Sequence, residues 1–272
     1  MTSFSTADHL TDALEAYANP VDDRAGEIAR SAIRHLYAFA QDVGLTREEW
    51  MRGIEFLTAV GQMCDDKRQE FILLSDTLGL SMLVEMITQD PAEGTTAPTV
   101  FGPFHVPNAP VRERGESIVI DDDPAPVLVF AGRVLDTAGN PVAGAELDVW
   151  QTASNGLYDV QDPAQPPMNC RGRFVTDADG TYEFAAVKPV AYPIPEDGPV
   201  GTMLHATGRH NWRPAHTHVM VTAAGKKTII THLFDRDSDY LDSDAVFGVR
   251  DGLVVDMSGD RVEFDFVVEA DD

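Results

Sequence analysis

The sequence predicts an α+β protein, a helical N-terminal region followed by a mainly antiparallel β-sandwich. Three observations carry this expectation. Over about the first 90 residues apolar side chains recur at intervals of three and four. The composition then turns to proline, glycine and threonine in DPAEGTTAPTVFGPFHVPNAP, which cannot continue a helix. Beyond it, short runs rich in Val, Phe, Tyr and Thr alternate with turn dipeptides, the pattern of a sandwich. We therefore expect a helical domain over residues 1–98 and a sandwich over 99–272.

Each element has its own signal. In EIARSAIRHLYAFAQDVG, Ile28, Ala32, Leu36 and Phe39 form one stripe and Gly44 ends it. TREEWMRGIEFLTAVGQMCDD opens with Thr46 and Glu49 in capping-box spacing. KRQEFILLSDTLGLSMLVEMITQ is apolar all round, which predicts burial against the rest of the protein or in a subunit interface. The expected strands are PVLVFAGRVLD, AELDVWQT, GRFVTD, TYEFAAV, AHTHVMVTA, KTIITHLF and VEFDFVVE, with turns at Ala138-Gly139-Asn140 and Asp179-Gly180. Asp177-Ala178-Asp179-Gly180 opens like a calcium loop, but Lys188 stands where a bidentate Glu is needed, so it reads as a hairpin turn.

Charge narrows the function. With 45 acidic against 20 basic side chains the net charge is −25, which argues against nucleic acid or an anionic membrane as partner. A small neutral or weakly acidic ligand remains compatible if an arginine offsets the local field. The two cysteines, Cys64 and Cys170, make no disulfide framework and suit a reducing compartment. The start lacks a basic region followed by an apolar stretch, and no run approaches the ~18 apolar residues of a membrane span. The expectation is a cytoplasmic protein.

RPAHTHVMV carries the chemical signal. On a strand, His216 and His218 face the same way with Cα atoms about 6.6 Å apart, so both imidazoles can reach one ion. Zinc would want further His, Cys or a carboxylate, and ferrous iron two His and a carboxylate. Tyrosine discriminates better, because the chain has only six. Tyr17 and Tyr37 fall in the helical region, Tyr182 in a strand, and Tyr240 in a loop. Tyr158, just past a strand end, and Tyr192, flanked by prolines, sit in irregular places. Phenolate is a hard anionic donor suited to Fe(III).

DVWQTASNGLYD, RGRFVTDADGTYEFAAVKPVAYPIP and RPAHTHVMV, in this order, resemble the intradiol ring-cleavage dioxygenases, and the resemblance covers almost the whole chain. It implies one Fe(III) per subunit, held by Tyr158, Tyr192, His216 and His218. It also implies that Tyr192 serves as a base when substrate binds, and that Arg213 stabilises charge developing on the ring. FILLSDTLGLSMLVE, TVFGPFH and DSDAVFGV resemble the hydroxyquinol-cleaving branch more than the catechol branch. That likeness implies a substrate pocket lined by Leu73, Asp76, Val100, Phe101, Gly102, Pro103, Phe104, Ile194, Pro195, Arg213 and Val246. A helical Asp76 could accept a hydrogen bond from a third ring hydroxyl. His232, in THLF, stands where many relatives have Gln, and is expected either behind the ligands as a hydrogen-bonding group or packed beside the site.

The implied reaction is oxidative cleavage of hydroxyquinol by O2 to 3-hydroxy-cis,cis-muconate, which tautomerises to maleylacetate. Catechol or chlorocatechol is the alternative substrate. The family also implies a homodimer through the N-terminal helices, with a lipid between them. GRVLDTAGNPVAGAELDVW followed by TDADGTYEF equally fits transthyretin-like modules that bind without catalysis, a reading that leaves Tyr158, Tyr192, His216, His218 and Arg213 unexplained.

Overall fold

The computed structural model describes residues 5–65, 68–89 and 92–271. The chain forms two compact units, Met1–Ala59 and Val60–Asp272.

The first unit is helical: α1 (Thr6–Glu15), α2 (Asp23–Asp42) and most of α3 (Arg47–Gln62). Each start is capped. Ser5 and Asp8 exchange hydrogen bonds around the α1 terminus, and Asp22 accepts from the Ala25 amide at 2.9 Å. At α3 the expected capping box is present, with Thr46 N–H donating to Glu49 Oε2 at 2.9 Å and Glu49 N–H to Thr46 Oγ1 at 3.2 Å. Gly44, at φ +59°, follows the end of α2 in the left-handed conformation that glycine adopts without cost. Among the described residues the stripe of α2 stays largely open, with Ile28, Leu36 and Phe39 keeping 55, 64 and 54 % of their surface exposed.

In the second unit the apolar segment is two helices, α4 (Glu70–Thr77) and α5 (Leu80–Gln89), bent by 79°. Gly79, at φ +76°, makes the break. The turn brings Leu73, Leu74, Asp76 and Thr77 inward, so α4 is the partly polar wall of a buried site.

Two sheets follow. One has the order β3 (Arg171–Val175), β2 (Glu146–Trp150), β7 (His216–Thr222), β8 (Ile229–Asp235), β9 (Val254–Val255). The other is built on β1 (Val127–Asp136), with β10 (Arg261–Glu263), β11 (Phe266–Val268) and β4 (Thr181–Val187) paired to it. Pairings are antiparallel except where β1 meets β10 and β11 and β8 meets β9. The expected strand VEFDFVVE is split into β10 and β11 at Phe264 and Asp265. A Cβ at Gly132 would lie 1.8 Å from the Phe264 carbonyl oxygen, so the chain crosses there against bare backbone. Phe130, Leu147, Phe174, Phe184, Val219, Val221, Leu233 and Phe266 from both sheets fill the core, with Phe130 and Phe184 stacked at 4.9 Å. Full burial of each such side chain contributes about 1.5–3 kcal/mol.

The short pair β5 (Tyr192–Pro193) and β6 (Trp212–Arg213), and α6 (Pro199–Ala206) between them, had no counterpart in the sequence reading. Two-residue strands carry no periodicity. In the DADG turn, Asp177 Oδ1 accepts from the Asp179 and Thr181 amides at 3.0 and 3.1 Å, which occupies it as a hairpin anchor.

Candidate metal centre

The site is assembled by strand register. Along β7, Val219 and Val221 point into the sandwich core, so His216 and His218 point out of it. On that outer face Trp150 of β2 and His232 of β8 flank His218 in direct register. The β5–β6 pair places Tyr192 opposite Arg213, three residues before His216. Tyr158 comes from the loop after β2.

These elements bring the four expected ligand residues together. His216 Nε2 and His218 Nε2 lie 3.2 Å apart, and Tyr158 Oη and Tyr192 Oη lie 3.2 Å apart. The Tyr192 ring is 5.5 Å from that of His216, and the Tyr158 ring 6.4 Å from that of His218. All four side chains are at most 5 % exposed. His216 Nδ1–H donates to the Pro214 carbonyl at 2.7 Å; because a carbonyl only accepts, the lone pair is left on Nε2, facing the cluster. His218 is fixed differently. Its Nδ1 is buried without a hydrogen-bond partner among the described residues, and its ring is stacked on Trp150 at 4.7 Å and met edge-on by His232 at 4.0 Å.

Arg213 closes one side. Its Nε and Nη2 donate to Asp244 Oδ1 and Oδ2 at 3.1 and 3.2 Å, and its Nη1 lies 3.1 Å from His216 Nε2. Its Nη2 also lies 3.4 Å from His232 Nδ1, so His232 sits beside the ligand cluster against the guanidinium. The ring nitrogens of His216, His218 and His232 fall within 4.8 Å of one another.

A narrow cavity opens onto Tyr192, His218 and Arg213. Its walls include Leu73, Asp76, Val100, Gly102, Pro103, Phe104, Ile194, Pro195 and Val246. Of the expected wall residues only Phe101 is absent: it is 38 % exposed, and its ring packs on His105 at 4.8 Å and Trp150 at 5.8 Å. Gly102, at φ +73°, lets the backbone pass close to the site, because a Cβ there would meet His218 Cε1 at 3.3 Å.

Comparison with known proteins decides the family. Residues 100–269 match the family model described as "Dioxygenase", and residues 22–96 the one described as "Catechol dioxygenase N terminus". The chain belongs to the intradiol dioxygenase family.

Among its relatives, a protein of Cupriavidus pinatubonensis called 6-chlorohydroxyquinol 1,2-dioxygenase is 50 % identical over 266 residues, 96 % of each chain. A Rhizobium protein called hydroxyquinol 1,2-dioxygenase is 51 % identical over 243 residues, 89 % of this chain and 81 % of that one. The crystal structure of hydroxyquinol 1,2-dioxygenase from Pseudomonas putida DLL-E4 superposes with a TM-score of 0.92 at 46 % identity, covering 98 % of this chain and 99 % of that one. The protein is thus an enzyme, and the non-catalytic sandwich reading is set aside.

Intradiol dioxygenases use non-haem iron, and the donor set here fits it. Burial, with the Arg213 charge second, holds the His216 imidazole down to about 3, and burial with neighbouring His216 holds His218 well below the usual histidine range. Both imidazoles are neutral and ready to donate a lone pair. Burial, reinforced by Tyr192, pushes the Tyr158 phenol well above its ordinary value, so a phenolate here needs a strong positive partner. Two buried phenol oxygens 3.2 Å apart and two imidazole nitrogens 3.2 Å apart are donors that suit iron.

The sequence reading missed Asp244. Burial pushes its carboxyl up, but the Arg213 charge and hydrogen bonds outweigh this and hold it below the usual range. In the same contact Asp244 raises Arg213 against the opposing effect of burial. Nothing in a chain with 45 acidic residues marks this one. Trp150 carries no local signal either, since its stacking on His218 depends on register between β2 and β7.

Proposed function

We propose that this intradiol dioxygenase opens hydroxyquinol, benzene-1,2,4-triol, between its two adjacent hydroxylated carbons with O2, giving 3-hydroxy-cis,cis-muconate and, by tautomerisation, maleylacetate. The observation that carries the choice of substrate is Asp76. Its carboxylate is 3 % exposed in a mostly apolar wall of the cavity, the position from which it would accept a hydrogen bond from the third hydroxyl. Burial pushes this carboxyl up, while a hydrogen bond from Ser81 and the Arg213 charge act the other way. Catechol offers no third hydroxyl to this buried carboxyl and would forgo that hydrogen bond. The names of the relatives at 50 and 51 % identity support the same substrate.

One Fe(III) per chain would be held by Tyr158, Tyr192, His216 and His218. Bound there, it supplies a Lewis-acid template that draws electron density from the chelated diol. Tyr192 Oη would take one proton from the arriving substrate, so the same side chain would serve as ligand and base. Arg213, preorganised by Asp244, stabilises negative charge developing on the ring. His232 would accept from Arg213 and steady it beside His216. Leu73, Val100, Pro103, Phe104, Ile194, Pro195 and Val246 exclude water around the ring.

The second reading is catechol or chlorocatechol as substrate, neither of which carries a third hydroxyl for Asp76 to accept from. Oxygen uptake on hydroxyquinol, catechol and chlorocatechols side by side tests the choice. The highest kcat/KM on hydroxyquinol supports it, and a preference for catechol overturns it.

The division of labour we propose is residues 1–98 for association, apart from Leu73 and Asp76 of α4 that wall the cavity, and 99–272 for the metal site, in a homodimer with a lipid between the helices. Apolar side chains of the first unit support it: Trp50, Met51, Ile54 and Leu57 are 44 to 51 % exposed, and the stripe of α2 is exposed as well. Sedimentation and mass spectrometry of extracted lipid test both. A cytoplasmic location fits the two free cysteines, and fractionation of the producing cells checks it.

A further inference from the structure

Arg171 is a guanidinium at 1 % exposure in the floor of the site, at the start of β3 and in register with Trp150. A charge so deep needs compensation. Asp159 supplies it, accepting from Nε at 2.8 Å and approaching Nη2 at 2.7 Å with its own side chain only 5 % exposed. The other carboxylate oxygen of Asp159 takes the Met168 amide at 2.8 Å, which pins the pair to the neighbouring loop.

What the guanidinium touches besides Asp159 belongs to one ligand. Nη1 donates to the Phe104 carbonyl at 2.7 Å, and the Phe104 ring stacks on Tyr158 at 4.7 Å and 27°. The guanidinium carbon itself lies 5.7 Å from the centre of the Tyr158 ring. Asp159 is the next residue in the chain after Tyr158. A single cation therefore holds the residue beside Tyr158, the backbone of the ring packed on Tyr158, and its own charge within cation–π range of Tyr158. A plain strut between loops would need no charge at this depth. A cation beside a phenolate in a poorly screened site, by contrast, lowers the energy of the donating electrons.

We infer that Arg171, clamped by Asp159, is a positioning residue that fixes the Tyr158 ring and sets its strength as an anionic donor to the metal. This rests on Tyr158 being an iron ligand. Arg171 is not among the residues that line the cavity, so it acts through Tyr158.

The test is the visible absorption of the iron-loaded protein, which carries tyrosinate-to-iron charge transfer. Tyr158→Phe checks the ligand reading by itself: that reading falls if this variant, loaded with iron, keeps the wild-type band, and stands if the band weakens and moves. Removing the cation raises the donor level, so Arg171→Met should move the band of the bound iron to longer wavelength, with Arg171→Lys lying between. Asp159→Asn leaves the cation less neutralised and should move the band to shorter wavelength. A merely structural role would lower iron content and thermal stability while leaving the band of the remaining bound iron in place, and that result overturns the inference. If far-UV circular dichroism shows Arg171→Met unfolded, Arg171→Lys and Asp159→Asn decide. Opposite shifts support the inference, and no shift, or no iron bound by either, overturns it.

Discussion

Removing the Asp244 carboxylate should be among the most damaging single changes near the site, and its size can be worked from the contacts. Arg213 and Asp244 are 4 and 2 % exposed, so solvent cannot replace a lost partner. Breaking a buried pair by deleting one member costs about 3–5 kcal/mol, because the other charge stays buried and uncompensated. Asp244 also accepts from the Val246 and Gly248 amides at 3.3 and 2.9 Å, so Asp244→Ala orphans two backbone donors in the loop that carries Val246 to the cavity wall. His232 Nδ1, at 3.4 Å, offers Arg213 partial compensation, which sets the expectation near the low end, about 3 kcal/mol. Urea unfolding of the second unit's transition, wild type against Asp244→Ala and the isosteric Asp244→Asn, measures it. Asn should lose less, since it keeps an acceptor for the Gly248 amide. The pH dependence has a definite sign. The folded carboxyl is held below its ordinary value of 3.8, so its contribution is fully present above that value and is lost as the pH falls through the lower, folded value. Asp244→Asn should therefore flatten the acid limb of stability. A loss in Asp244→Ala below about 1 kcal/mol, the range of exposed pairs, would refute the reasoning.

Three further outcomes follow from the geometry. Asp76→Ala should lower kcat/KM on hydroxyquinol about 10- to 100-fold, the worth of a hydrogen bond to a charged group, and change catechol turnover little; equal loss on both substrates would remove Asp76 from the specificity argument. Tyr192→Phe should retain more iron per chain than His216→Ala, as measured by metal analysis, because Tyr192 is the ligand proposed to give way to substrate while the His216 ring is locked by Pro214. Cys170 is buried, and burial, aided by Asp123 and Asp121, pushes its thiol up to about 12, so a thiol reagent at pH 8 should miss it in the native protein and find it in denaturant. Because the unfolded thiol ionises near 8.5 and the folded one near 12, stability should fall as pH rises through that window, and Cys170→Ala should lessen the fall.

The parts of the fold with local signals were legible in the sequence. The α3 capping box and the end of α2 at Gly44 need only neighbours within a few residues, and both are where the pattern puts them. The alternation in AHTHVMVTA likewise gave the faces of β7, and the scarcity of tyrosine singled out Tyr158 and Tyr192. Long-range pairing hid the rest. The bend at Gly79 is masked by a segment apolar on every side, and β5 and β6 exist only because Tyr192 meets Arg213 across α6. Asp244, Trp150 and Arg171 matter through what they touch 31, 68 and 13 positions away, at Arg213, His218 and Tyr158. Composition cannot distinguish these three from other buried polar or aromatic side chains. Phe101 shows the reverse: a residue that the resemblance places in the pocket turns instead onto His105 and Trp150.

The most direct measurement is the product of iron-loaded protein given hydroxyquinol and isotopically labelled O2, read by mass spectrometry alongside oxygen uptake. Cleavage between the hydroxylated carbons predicts one O2 consumed per substrate and a ring-opened diacid in which label enters both new carboxyl groups. A semialdehyde from cleavage beside the diol, or hydroxyquinol left intact with no oxygen taken up, would contradict the account.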